Sequence, residues 1–168
     1  MSVVLVLVSG IVIAGERSLQ SSREVSAAQS VQGLQANETV YQRSWGGFSL
    51  NALSLGGAGT GAAATCLADQ EMVTTATANP FPAAYDAGVV QGGYTYLYKS
   101  GGTGFAGSGG CGQNVQPTYD FTANPVDKLT KSFCSDSYGT VYLPAGTDMA
   151  NTGKGCLVDN PAAIAMGQ

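Results

Sequence analysis

A chain of 168 residues with 11% charged residues, 24 glycines and a net charge of −4 is long enough for one ordinary domain, and its acidity excludes nucleic acid as a primary ligand. Its seven Lys and Arg residues are scattered, and there is no histidine to complete a zinc set or to serve a nucleophile as base. The carboxylates are dispersed from Asp69 to Asp159, so no catalytic, cofactor-binding or metal-binding residue set is expected.

The chain opens on an uncharged apolar run, Ser2 to Gly15, that carries no turn signal and continues into a helix-patterned polar stretch ending near Arg43. The run is shorter than the ~20 apolar residues a helix needs to span a bilayer. Residues 1–44 are expected to form one long helix, apolar over 2–15 and amphipathic over 16–44. Ala27, Val31, Leu34 and Tyr41 form a stripe for a partner sheet, and Val25, Ala28, Ala36 and Val40 broaden it. Arg17, Arg23, Glu24 and Glu38 are expected on the remaining, solvated face. At 1.5 Å per residue such a helix is about 60 Å long, roughly twice the diameter of a head of about 120 residues, so its apolar start must bury itself in lipid or in other copies. Gly10 and Gly15 each cost roughly 1 kcal/mol of helix propensity, and a local break is expected there.

The helix is expected to stop at Ser44-Trp45-Gly46-Gly47, ahead of an irregular stretch, a helical turn at 66–72 and a loop from Thr74 to Val90 that holds Pro80 and Pro82. Four strands follow. Gly93 to Lys99 alternates Tyr94, Tyr96 and Tyr98 with Thr95, Leu97 and Lys99, and the tyrosines read as sheet packing against the helix. Thr118 to Ala123 alternates Tyr119 and Phe121 with Asp120 and Thr122, and Lys131 to Ser135 and Thr140 to Leu143 are joined across the Asp136-Ser137-Tyr138-Gly139 turn. The loop Gly101 to Gly112 lacks the GK[ST] end of a phosphate loop and reads as a hairpin connection. Asn37-Glu38-Thr39 fits the N-glycosylation pattern but falls on the helix, and reads as accidental. The expected fold is α+β, a long N-terminal helix on a four-stranded antiparallel sheet. The head of 45–168 divides into a loop region (45–92), the sheet (93–143) and a tail (144–168) without firm period.

Cys66, Cys111, Cys134 and Cys156 all lie in the head at wide spacings, which points to disulfides in an oxidising compartment. Three pairings are open. Cys134 with Cys156 and Cys66 with Cys111 is the one favoured, the first of them stapling the tail back to the sheet.

Several local runs resemble the type IV pilins and the related type II secretion pseudopilins. Arg23-Glu24-Val25-Ser26-Ala27-Ala28 followed by Thr39-Val40-Tyr41-Gln42 is similar to the "NEASA" and "TYQ" runs of the bacterial pilin helix. Phe48-Ser49-Leu50 through Leu53-Ser54-Leu55-Gly56-Gly57 is similar to the "F-S-P…L-A-x-L-G-G" loop after it, and Gly92 to Tyr96, Ala123 to Val126 and Ser132-Phe133 resemble the sheet strands. The resemblance implies a pilin fold, no enzymatic activity and a structural role. The subunit would sit in the inner membrane, then pass through a pilus assembly machinery into a helical homopolymer on the bacterial cell surface. The filament-core residues it implies are Val3, Val4, Leu5, Val6, Leu7, Val8, Ile11, Val12 and Ile13, with Gly10 and Gly15 in place of the usual helix-breaking proline. The basic leader, the methylated Phe and the early glutamate of pilins have no counterpart here, which implies that the mature start lies upstream of Met1. A pseudopilin is the alternative within the family. From another class, the alternative is a secreted binding module whose first residues are a signal cleaved before Gly15.

Overall fold

The computed structural model describes the backbone of residues 2–55, 84–108 and 114–166, with side chains from residue 18 onward apart from that of Leu53. Helix α1 (Ser2–Trp45) is a single helix, and Gly10 and Gly15 do not break it. A cost of about 1 kcal/mol at each glycine does not outweigh the hydrogen bonds that the Val, Leu and Ile turns on either side contribute. The helix stops where a left-handed residue is cheapest: Gly46 sits at φ 82°, and its N–H donates to the Gln42 carbonyl at 2.8 Å.

Among the described residues, α1 is followed by a 3-10 turn (Ala52–Leu55), a short helix α2 (Ala84–Ala87), and strands β1 (Val89–Gln91) and β2 (Tyr94–Gly101). Strands β3 (Phe105–Ala106), β4 (Asn114–Val115), β5 (Thr118–Pro125), β6 (Ser132–Asp136) and β7 (Gly139–Leu143) follow, then helix α3 (Cys156–Asp159) and strand β8 (Ile164–Ala165). The main sheet is antiparallel and has six strands in the order β1-β2-β5-β6-β7-β8, while β3 and β4 form a separate two-stranded ladder. The expected four strands are its centre, β2, β5, β6 and β7. The two edge strands replace what reads as loop before residue 90 and as unpatterned tail after 144, and β3 lies within the expected Gly101 to Gly112 loop. The expected helical turn at 66–72 lies outside the described residues.

The sheet is covered on both faces. Period two sends Tyr94, Tyr96 and Tyr98 of β2 and Tyr119, Phe121 and Ala123 of β5 toward α1, where they bury with Ala27, Val31, Leu34, Tyr41 and Phe133 as the main core. Tyr98 stacks on Tyr119 at 6.1 Å between ring centroids and Tyr96 on Phe121 at 5.8 Å, so the tyrosine row is core packing. On the opposite face Cys134, Val141 and Leu143 form a smaller core with Met149 and Cys156 of the tail. Strands β5 and β6 are consequently buried on both sides.

Two further expectations for α1 do not hold. Val25 and Ala36 are exposed and Val40 is only half-buried, so of the residues expected to widen the stripe only Ala28 is fully covered. Glu38, expected in solvent, is 0% exposed. The steps 27, 31, 34, 38, 41 alternate four and three, which puts residue 38 in the middle of the sheet-facing stripe whatever its charge.

Candidate functional site

The apolar turns of α1 carry Val3, Val4, Leu5, Val6, Leu7, Val8, Ile11, Val12 and Ile13 on one helical backbone. Their side chains lie outside the described residues. Among the described residues no helix is long and apolar enough to cross a membrane. Where α1 meets the head, Leu19 and Val25 are more than half exposed, as are Val126 and Leu129 on the β5–β6 connection beside it. That connection is fastened to α1 by Arg23 to Asp127 at 3.4 Å, by Lys131 to Glu24 at 3.9 Å, and by the Lys131 N–H donating to Glu24 Oε1 at 3.1 Å. Exposed pairs of this kind orient a loop more than they stabilise it.

The second half of α1 is pinned from within. Glu38 Oε2 accepts the Ser49 N–H at 3.0 Å, and Oε1 accepts the Ser49 hydroxyl and the Tyr98 hydroxyl, both at 2.5 Å. Tyr98 also reaches the Ser49 carbonyl at 2.8 Å. One carboxyl therefore joins the helix to the loop that follows it and to β2. Among the described residues it has no cationic partner. Burial pushes the Glu38 carboxyl up to about 7, against the hydrogen bonds from Ser49 and Tyr98 that pull it down. Burial and the neighbouring Glu38 hold the Tyr98 phenol well above its ordinary value, so Tyr98 remains a donor in this network. A fully buried network offers a substrate no approach, and its chemistry is that of a structural pin.

On the far face of the sheet, the outward residues of β5 hold the tail at every second position. Asn124 donates to the Met149 carbonyl at 2.9 Å and accepts the Met149 N–H at 2.8 Å. Asn151 donates to Thr122 Oγ1 at 3.2 Å and to the Leu97 carbonyl at 2.8 Å, and Asp120 Oδ2 accepts the Gly153 N–H at 2.8 Å. Residues 149, 151 and 153 thus run antiparallel over 124, 122 and 120, joined by side chains instead of a backbone ladder. The crossing is close enough that a Cβ on Gly101 would lie 2.0 Å from the Gly153 carbonyl oxygen, and Gly153 itself sits at φ 81°. Asp136 finishes the arrangement, with Oδ1 accepting the Tyr138 N–H at 2.7 Å inside its own turn and Oδ2 accepting the Cys156 N–H at 2.7 Å. Replacing Asn124 with alanine removes both bonds to Met149 and is expected to cost about 1–2 kcal/mol in urea unfolding; an unchanged midpoint would show that the tail rests on its apolar contacts alone.

Cys134 and Cys156 are joined in a disulfide with Cα atoms 5.8 Å apart. Cys66 and Cys111, the other expected pair, lie outside the described residues. A carboxylate oxygen of Asp120 and the sulfurs of Cys134 and Cys156 come within 4.8 Å of one another. The disulfide removes both thiolates from that donor set, so the cluster does not have the composition of a thiolate metal centre.

Sequence reasoning finds the tyrosine face, the helix stripe and the Cys134–Cys156 staple. It misses the Glu38 pin, which the four-three spacing of the stripe contains, and the side-chain ladder, half of which is visible as Asp120, Thr122 and Asn124 at alternate positions. No family model, curated protein or solved structure matches the chain.

Proposed function

We propose that this chain is a structural subunit that polymerises through its N-terminal apolar helix into an extracellular filament of the type IV pilus kind. One observation carries the reading. A single 44-residue helix, apolar in its first third, packs on the sheet through its second half, where Ala27, Val31, Leu34, Glu38 and Tyr41 meet it. At 1.5 Å per residue the helix is about 66 Å long, and a head of this size is roughly 35 Å across. The apolar turns beyond the head need another apolar environment, and lipid before assembly and neighbouring copies after it both supply one, at about 25 cal/mol per Å² buried. Exchange between two such environments costs little, which suits a subunit that a machine moves from membrane to fibre. The α-helix on an antiparallel sheet and the tail closed by Cys134–Cys156 support a pilin fold, and the run of pilin-like motifs in order supports the family.

The test is electron microscopy of material sheared from the source cells, with mass spectrometry of the purified fibres. Fibres that contain this chain with residues 2–15 retained are the expected result. A soluble protein beginning at Gly15 and absent from any fibre would overturn the reading and make the first residues a discarded signal.

A further inference from the structure

The outer face of the sheet holds a carboxyl with one oxygen unused. Asp120 is fully buried on β5; its Oδ2 accepts the Gly153 N–H at 2.8 Å, while Oδ1 is buried without a donor. A buried acceptor left unsatisfied is costly and calls for a reason. Its surroundings supply one. Strands β5 and β6 pair with Thr122 opposite Cys134, so Asp120 and Cys134 lie on the same face of neighbouring strands, and the disulfide brings Cys156 to them. One Asp120 oxygen and the two sulfurs all lie within 4.8 Å of one another, and the three residues are buried.

Once the sulfur–sulfur bond is open, these are three ligands around one point. Two thiolates bound at about 2.3 Å to a tetrahedral ion are roughly 3.8 Å apart, and a carboxylate oxygen bound at about 2.1 Å is about 3.6 Å from each. With the Cα atoms 5.8 Å apart, side-chain rotation gives the sulfurs that spacing, and the Asp120 oxygen is already within range. The ligands are also oriented from behind. The Gly153 N–H holds Asp120 through Oδ2, and Asp136 Oδ2 accepts the Cys156 N–H at 2.7 Å. Two sulfurs and one oxygen favour Zn²⁺ or Cd²⁺ over Mg²⁺ and Ca²⁺, which take oxygen ligands, and leave the fourth position to water.

We propose that the reduced chain binds one soft divalent cation, Zn²⁺ or Cd²⁺, through Cys134, Cys156 and Asp120, and that closing the disulfide expels it. A dithiol reductant supplies the two electrons and two protons that turn the disulfide into two thiols, and leaves as its own disulfide. The ion then displaces both thiol protons to solvent. In the reverse direction a small-molecule disulfide takes two electrons from the bound thiolates, the Cys134–Cys156 bond forms, and the ion and two small-molecule thiols leave. Cys156 is stapled to β6 in both states, by a covalent bond in one and by the ion in the other. The site does not depend on whether the chain polymerises.

Cadmium titration of the full chain, reduced by a dithiol that is then removed under anaerobic conditions, tests the site. Cys66→Ser and Cys111→Ser are introduced in every protein used, so that the only thiols are those of Cys134 and Cys156. One Cd²⁺ per chain is expected, with the ultraviolet sulfur-to-cadmium charge-transfer band of two thiolates and a higher urea midpoint for the reduced chain. Where the reduced chain is unfolded by itself, Cd²⁺ is expected to restore the circular dichroism of the oxidised protein. Asp120→Asn keeps an acceptor for the Gly153 N–H but loses the anionic ligand, and is expected to bind at least about tenfold more weakly. Excess Mg²⁺ is expected to displace nothing, and oxidising the loaded chain with a small-molecule disulfide is expected to release the ion. Absence of a stoichiometric band, equal affinity in Asp120→Asn, or a fold and urea midpoint that the ion leaves unmoved would each overturn the site.

Discussion

Glu38→Gln is expected to flatten part of the pH dependence of stability and to leave the variant up to roughly 3 kcal/mol more stable than the wild type at pH 8. The carboxyl sits at about 7 in the fold against 4.5 when free, so the folded chain holds its proton over a range where the unfolded chain has lost it. Below pH 4.5 both states are protonated and the group costs nothing. From there to about 7 stability falls as pH rises, and above that it levels off. Glutamine keeps an oxygen for the Ser49 N–H and brings an amide that donates to the Ser49 hydroxyl, while Tyr98 still donates to the Ser49 carbonyl at its present 2.8 Å. Urea unfolding of both proteins at pH 5 and pH 8 reads the effect. Asp120 is shifted in the same direction and contributes a slope of its own, so the variant retains some pH dependence. An identical pH dependence in the two proteins would show that Glu38 reaches solvent as a carboxylate.

The second large effect is expected from Cys134→Ala combined with Cys156→Ala. A bridge across a sequence separation of 22 restricts the unfolded chain by about 3 kcal/mol on the loop-closure account. The native state has few ways to compensate. Apart from the two residues of β8 and the Met166 N–H to the Thr140 carbonyl at 2.8 Å, the tail is held by side-chain bonds worth about 1 kcal/mol each. The double variant is expected to unfold at a clearly lower urea midpoint, and to lose exchange protection over 147–166 before β2 and β5 lose theirs. A midpoint within error of the wild type would mean that the apolar contacts of Met149 and Leu143 fix the tail without the bridge. Because both sulfurs are buried, a reductant is expected to act on the native protein only as fast as the tail opens.

The parts of this fold that repeat along the chain are legible in the sequence. Tyr94, Tyr96 and Tyr98 declare both a strand and its buried face, and Val31, Leu34 and Tyr41 declare the helix and its stripe. The edge strands escape because three residues at Val89–Gln91 and two at Ile164–Ala165 are too few to show a period. The Gly92-Gly93 pair, at φ 60° and 85°, is nevertheless a two-residue hairpin signal, with Val89–Gln91 on one side of it and Tyr94 on the other. Glu38 escapes for a different reason. Its spacing assigns it to the core and its charge to the surface, and only the arrival of Ser49 and Tyr98 from distant segments decides for the core. The tail is the hardest case, since its partners are the side chains of β5 and no local pattern announces them.

That tail divides its residues between two masters. Met149, Gly153 and Gly155 are buried and Asn151 half-buried, while Asp148, Ala150 and Lys154 face water. The inward set can change only in step with β5, whereas in the outward set only Asp148, paired with Lys128, has a side-chain partner among the described residues. A thin veneer can thus be relettered without disturbing the body it covers. In the proposed fibre, a single substitution at Ala150 or Lys154 would recur at every repeat at almost no cost to folding.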